Sequence, residues 1–171
     1  MYRENYLNEG VREMIIRLIE GKDNSQIAFV IRECLTEYGC AGMMDTAWGD
    51  PHLDRLSEVY VHENDSYWVA ENEEGKVVAG VGIGSLANEE NICELQKMYC
   101  LPKYRGTGIA QRLLDEALAF AAKHYRRCYL ETRHNMDRAK KFYEKNGFVY
   151  TTETLGCTGH GGCDYHYVKD L

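Results

Sequence analysis

The chain has 171 residues, 44% of them hydrophobic and 27% charged, which is the make-up of a soluble globular protein able to bury a real core. Its net charge of -7 argues against nucleic acid as the main partner, because a phosphate backbone requires a basic face, and is compatible with cationic substrates such as amines. A single domain over 1–171 is expected, since no repeat, linker or low-complexity segment divides the chain.

The first residues, MYRENYLNEGVREM, are charged throughout and lack the apolar core of a signal peptide. Residues 14–19, MIIRLI, read as a first strand, and KDNSQIAFVIRECLTEY as a helix with Ile27, Ala28, Ile31, Leu35 and Tyr38 at helical spacing. Asp23, with Gln26 three places on, carries the signature of a capping box. After a loop, GMMDTAWG, the pair Asp50-Pro51 predicts the start of a short helix carrying Leu53, Leu56 and Tyr60. Two strands at 66–72 and 76–85, joined by EEG, read as a hairpin, and NICELQKMYCL at 91–101 as a fourth strand bounded by Pro102. The segment 109–125 is a clear amphipathic helix. A strand at 127–133, a helix ending at Gly147, and two closing strands, FVYTTETL and CDYHYVKDL, complete the chain. This order is that of an α/β layer fold with a mixed sheet. The longest apolar run, VVAGVGIGSLA, is too short to span a bilayer. Seven cysteines without a CxxC pair fit reduced thiols. A cytoplasmic location with no membrane partner is therefore expected.

The sharpest functional signal is the strand–PKYRGTGIA–helix junction. Gly106 and Gly108 allow close backbone approach to a ligand, and a helix start offers unpaired N–H groups. No Asp or Glu falls between 105 and 114, while Arg105 and Arg112 do, so the helix dipole is left for an external anion. A plain tight turn before a helix is the alternative. A P-loop requires GK[ST] where GIA stands, and a dinucleotide fingerprint requires a third glycine where Gln111 stands.

At these residues the chain resembles the GNAT superfamily of acetyl-CoA-dependent N-acetyltransferases. Arg105, Gly108 and Ala110 match its [QR]xxGx[GA] pyrophosphate loop, and Asn135, Ala139, Tyr143, Gly147 and Phe148 in NMDRAKKFYEKNGF match its later helix and strand. ELQKMY and TGHxxCD are similar to phrases of one subgroup of small bacterial members. The resemblance covers residues 14 to 170 and implies a mixed, mostly antiparallel sheet of about seven strands with helices on both faces. It further implies splayed fourth and fifth strands, with the pantetheine arm of acetyl-CoA in the gap. Met98, Tyr99 and Cys100 would then supply backbone contacts. Arg105, Gly106, Thr107, Gly108, Ile109 and Ala110 would hold the pyrophosphate, and Asn135 would lie by the pantetheine.

Acetyl transfer to an amine needs a base, because a free alkylamine has a pKa near ~10.4. By resemblance Glu94 is the leading base, against an ordinary strand-surface carboxylate. Glu131 is the rival base or an ammonium anchor. Tyr143 is the expected acid, its phenol protonated at neutral pH, against simple core packing. A strand N–H near Met98 or Tyr99 would meet the oxyanion.

The stretch CTGHGGCDYH spaces Cys157, His160, Cys163 and His166 three apart, as ligands of a zinc ion are sometimes set out. If CDYHYVKDL is a strand, Cys163 and His166 lie on opposite faces, and no metal is expected. His160 would instead line the acceptor pocket, or be a surface loop residue. The overall expectation is an acetyltransferase acting on a primary amine of a small molecule or peptide. Another acyl-CoA donor, a non-catalytic acetyl-CoA sensor and a metal-binding regulatory module are the alternatives. A homodimer stays open.

Overall fold

In the computed structural model, which describes residues 14–156, 158 and 163–171, β1 (Ile15–Leu18) leads into α1 (Asn24–Glu37). There follow β2 (Ser66–Glu71), β3 (Val77–Ser85), β4 (Ile92–Cys100), α2 (Ile109–His124) and β5 (Arg127–Thr132). The chain closes with α3 (Asp137–Lys145), β6 (Val149–Thr151) and β7 (Tyr165–Asp170). All seven strands share one sheet in the order β1-β2-β3-β4-β5-β7-β6. Every neighbouring pair is antiparallel except β4 with β5.

The period-2 alternation of the strands sorts their side chains onto two cores. On one face Trp68, Val81 and Ile83 pack against Ile109, Leu113 and Ala117 of α2 and Tyr143 of α3. On the other, Tyr67 and Val69 pack against Ile27, Ile31 and Leu35 of α1 and against Leu53 and Leu56. Beyond Val77, β3 fills only the first face with bulk. Its Gly80, Gly82 and Gly84 face the second, where an added Cβ would stand 2.7 Å from the Tyr67 ring, 2.8 Å from Tyr60 and 2.8 Å from the Gln96 amide. A glycine inside a strand marks such a close approach. The row clears room for two tyrosines and a glutamine.

Three expected elements take other forms. Asp23 makes no side-chain cap on α1. Its buried carboxylate accepts from Arg17 at 2.6 and 2.9 Å and from the Glu20 N–H at 2.8 Å, and Gln26 accepts from the Val77 N–H at 3.1 Å. A buried charge needs a counter-charge, which a helix end supplies only in part. The segment after Asp50-Pro51 is a 3-10 turn over Leu53–Glu58, broken at Arg55, rather than an α-helix. Asp50 accepts from the His52 N–H at 2.8 Å but is also drawn to Lys97 at 2.7 Å. FVYTTETL pairs as a strand only through Val149–Thr151. The Thr151 hydroxyl then accepts from the Glu153 N–H at 3.1 Å, which turns the chain off the sheet.

Burial alone would raise the Asp23 carboxyl, but the bonds from Arg17 and the Glu20 N–H hold it below the usual carboxylate range. Its stabilisation is therefore present above the unfolded pKa and lost as pH falls through the folded one. Asp23→Ala should destabilise the fold by about 2 kcal/mol at neutral pH, read as the urea midpoint, because Arg17 loses a bidentate partner and keeps only the carboxylates of Glu71 and Glu20. The gap between variant and wild type should close on acidification below about pH 4.

Candidate active site

β4 and β5 run together for only three residues, pairing Ile92 with Arg127, Cys93 with Cys128 and Glu94 with Tyr129. Beyond Glu94 they separate. β5 continues along β7, with Glu131 opposite His166, while β4 stays with β3 through a bulge that steps over Lys97 and Met98. Lys97 takes the left-handed φ of 47 there, and such bulges re-aim a strand and its side chains. The parting strands open a cleft of about 560 Å³ that runs from Gly106 and Ala110, past Met98, Tyr99 and Cys100, to Glu94 and Glu131.

At one end stands the glycine loop. Gly106 and Gly108 have φ of 77 and 88, and nothing lies within 4 Å of a Cβ built on either. The Arg112 N–H makes the first bond of α2, to the Gly108 carbonyl at 3.1 Å. Among the described residues, the N–H groups of 106–111 donate to no backbone carbonyl outside the helix, and the first turn of α2 contains no acid. The result is a row of backbone donors without a carbonyl partner at a helix start, an arrangement able to take an anion.

The side chains of this loop are occupied elsewhere. The Thr107 hydroxyl donates to the Tyr104 carbonyl at 2.7 Å, and Ile109 is buried in the core. Arg105 forms a bidentate pair with Glu37 at 2.8 and 2.7 Å and donates its Nε–H to the Cys100 carbonyl at 2.9 Å. It thereby ties the end of α1 to the loop, and its bonds hold the Glu37 carboxyl below the usual range. Asn135 donates to the Tyr38 carbonyl at 3.2 Å, joining the start of α3 to the end of α1. It is Met136 and Arg138 that line the cleft there.

At the other end Glu94 is only 4% exposed. Burial pushes its carboxyl up to about 7, helped by the charge of Glu131 and opposed by a hydrogen bond from Gln96 and by Lys97. Glu131 accepts from the Tyr129 hydroxyl at 2.8 Å and the Thr158 hydroxyl at 2.7 Å, with His166 Nε2 at 4.0 Å. Tyr143 packs on the rings of Phe142, Phe148 and Tyr167, yet it also lines the cleft. Burial lifts its phenol above the ordinary tyrosine range, and its hydroxyl donates to no described residue. The ring thus packs in the core and also borders the cleft.

Cys157 and His160 lie outside the described residues. Cys163 precedes β7, which begins at Tyr165, so strand alternation does not separate it from His166. Cys163 lines the cleft with Glu131, and His166 approaches the same carboxylate. Among the described residues no group of three His, Cys, Asp or Glu could hold a metal ion.

Two residues at this end escaped the sequence reading. Gln96 donates to Glu94 Oε2 at 2.7 Å, and the Tyr60 hydroxyl donates to Gln96 Oε1 at 2.8 Å. The signal that could have revealed them is the alternating glycine of AGVGIG, which says that something bulky crosses that face of β3.

The acetyltransferase (GNAT) domain profile matches residues 63–150. An uncharacterised N-acetyltransferase of Escherichia coli K12, YjgM, is 42% identical over 159 residues, which is 92% of this chain and 95% of that relative. The chain belongs to the GNAT acetyltransferase family. It is an acetyltransferase with the expected GNAT fold, a mostly antiparallel seven-stranded sheet with parallel β4 and β5. An acetyltransferase from Streptococcus agalactiae superposes with a TM-score of 0.79 at 25% identity, covering 92% of this chain and 98% of that one. The PaiA N-acetyltransferase from Thermoplasma acidophilum, solved in complex with coenzyme A, shares the GNAT fold with a TM-score of 0.70 at 20% identity, over 93% and 99% of the two chains. In this GNAT chain no helix among the described residues is long and apolar enough to cross a membrane.

Proposed function

We propose that the enzyme moves an acetyl group from acetyl-CoA to a primary amine of a small molecule or peptide, by direct attack of the amine. One observation carries the reading: a single cleft joins the donor row at 106–111 to a buried carboxylate whose pKa is lifted to about 7. The open-faced glycines and the gap between β4 and β5 fit the pyrophosphate and pantetheine of the cosubstrate. Bound acetyl-CoA would supply an activated carbonyl and a thiolate leaving group.

The chain's own residues then divide the work. The backbone N–H groups of 106–111 hold the pyrophosphate, while Arg105 and Asn135 brace the loop and the cleft mouth against α1. Glu94 takes the proton of the incoming ammonium, a task suited to a base poised near neutrality. Glu131, held by Tyr129 and Thr158, sets negative charge beside it and favours a cationic acceptor. The N–H groups near the bulge at Met98 and Tyr99 meet the charge growing on the carbonyl oxygen. Tyr143 presents its hydroxyl to the departing sulfur.

Release of free thiol from acetyl-CoA, followed across an amine panel, tests the reaction. Binding without turnover on any amine would instead support a sensor. Tyr143→Phe keeps the packed ring and removes only the donor. We expect a fall in kcat of about 10- to 100-fold with the Kd for acetyl-CoA unchanged. Equal turnover in the two proteins would reduce Tyr143 to packing.

A further inference from the structure

We propose that Tyr60 and Gln96 form a positioning relay that orients the Glu94 carboxylate, and that the glycines of β3 exist on that face to admit it. The relay rests on the reading of Glu94 as the base.

The direction of each hydrogen bond follows from the chemistry of its partners. An ionised carboxylate only accepts, so the Gln96 amide must turn its NH2 toward Glu94, at 2.7 Å from Oε2. Its carbonyl then points away and needs a donor. Tyr60 is the donor, its hydroxyl 2.8 Å from Gln96 Oε1. Burial raises the Tyr60 phenol well above its ordinary range, with Glu94, Asp50 and Asp65 adding to the effect, so it stays protonated and can donate at any working pH. Turning the amide over would set its carbonyl against the ionised Glu94 and lose that bond, and Tyr60, bonded to the other end of the amide, restrains it in the donating orientation.

Packing holds the relay in place. The Tyr60 ring leans on Tyr67 at 5.1 Å between centroids, and the Tyr67 hydroxyl donates to the Lys97 carbonyl in the β4 bulge at 2.9 Å. Gly82 leaves room for Tyr60 and Gly84 for the Gln96 amide, each clearing a Cβ position 2.8 Å from the side chain it admits. The bulge that opens the cleft and the relay that aims the base are thus anchored by neighbouring tyrosines on one face of the sheet.

Glu94 has other charged or titratable neighbours, and each must be kept in place by a test. Lys97 and its partner Asp50 lie on the near side, Glu131 and Tyr129 face it from β5, and Cys128 and Cys163 interact with it more weakly. None of them is altered by a change at Gln96, Tyr60 or Gly84.

The test is a titration of the Glu94 carboxyl carbon by NMR in protein labelled at glutamate Cδ, with Glu94→Gln identifying the resonance. It needs no acceptor. The wild-type midpoint should lie near about 7. Gln96→Leu removes a donor to the charged form and should raise the midpoint by about one pH unit, the worth of one charge-assisted hydrogen bond. Gly84→Ala should move it in the same direction, because the three atoms nearest the new methyl all belong to the Gln96 amide group, which must shift from its bonds to make room. Tyr60→Phe should give a smaller rise, since the amide stays but loses its anchor.

If Gln96→Leu does not fold, Gly84→Ala and Tyr60→Phe decide. Midpoints that stay at the wild-type value in the folded variants would overturn the relay and leave the base assignment standing. Failure of the base assignment shows separately, as an acid limb of acetyl transfer that survives in Glu94→Gln.

Discussion

Gly108→Glu should abolish measurable acetyl-CoA binding, with Kd raised at least about 100-fold, or ~2.7 kcal/mol. The position sits at the start of α2 with φ of 88, and its Cβ would point into open space. A glutamate there brings its own carboxylate to the donor row, filling the anion site from within and repelling a pyrophosphate. It also forces an L-residue into the left-handed region, at a cost of about 1 kcal/mol. Gly108→Ala carries the strain without the charge and so separates the two effects. Titration calorimetry should show modest weakening for alanine and no binding for glutamate. Wild-type affinity in the glutamate variant would remove the phosphate assignment.

Glu94→Gln should lower kcat/KM by about 10²- to 10⁴-fold at pH 8 and leave acetyl-CoA affinity near normal. The sign of the pH effect follows from a carboxyl raised to about 7. Glu94 is a base only when ionised, so wild-type activity should fall as pH drops through 7. The glutamine has no proton to gain or lose, and its profile should lack that limb. The two enzymes should therefore differ most above pH 7 and converge below it. Stability should change in the opposite sense. A carboxyl whose folded pKa lies above its unfolded one weakens the fold as pH rises between the two values. Glu94→Gln removes that burden, and its Tm at pH 8 should exceed wild type. A profile parallel to wild type would pass the base role to Glu131 or to water.

Much of this molecule follows from short stretches of chain. Apolar spacing at 109–121 marks α2, short apolar runs bounded by turn residues mark β2 to β4, and RGTG between a strand and an acid-free helix start marks the candidate anion site. Each of these depends on residues within one or two turns of each other. The GNAT resemblance was carried by such stretches, and the fold agrees with it.

Other features depend on partners or strand boundaries that periodicity does not carry. Asp23 reads as a cap until Arg17 and the neighbouring strand bury it. Arg105, expected at the pyrophosphate, lines the cleft and also pairs with Glu37 at the end of α1. Cys163 and His166 read as a strand pair until β7 is seen to start after the cysteine.

What the sequence by itself determined is the order of elements, the family, the glycine loop and the candidacy of Glu94 and Tyr143. What only the tertiary structure decided is the environment of those groups. Whether Glu94 is an ordinary surface carboxylate or one lifted to about 7 depends on the fold burying it, on β5 bringing Glu131 beside it and on the opposing bond from Gln96. Gln96 in turn is held by Tyr60, a residue 36 positions away with no periodicity linking the two. Helical and strand patterns arise from local geometry and so survive in a string of letters. Desolvation and hydrogen-bond partnership depend on which segments come together in space, and for these residues that is settled only when the sheet has formed.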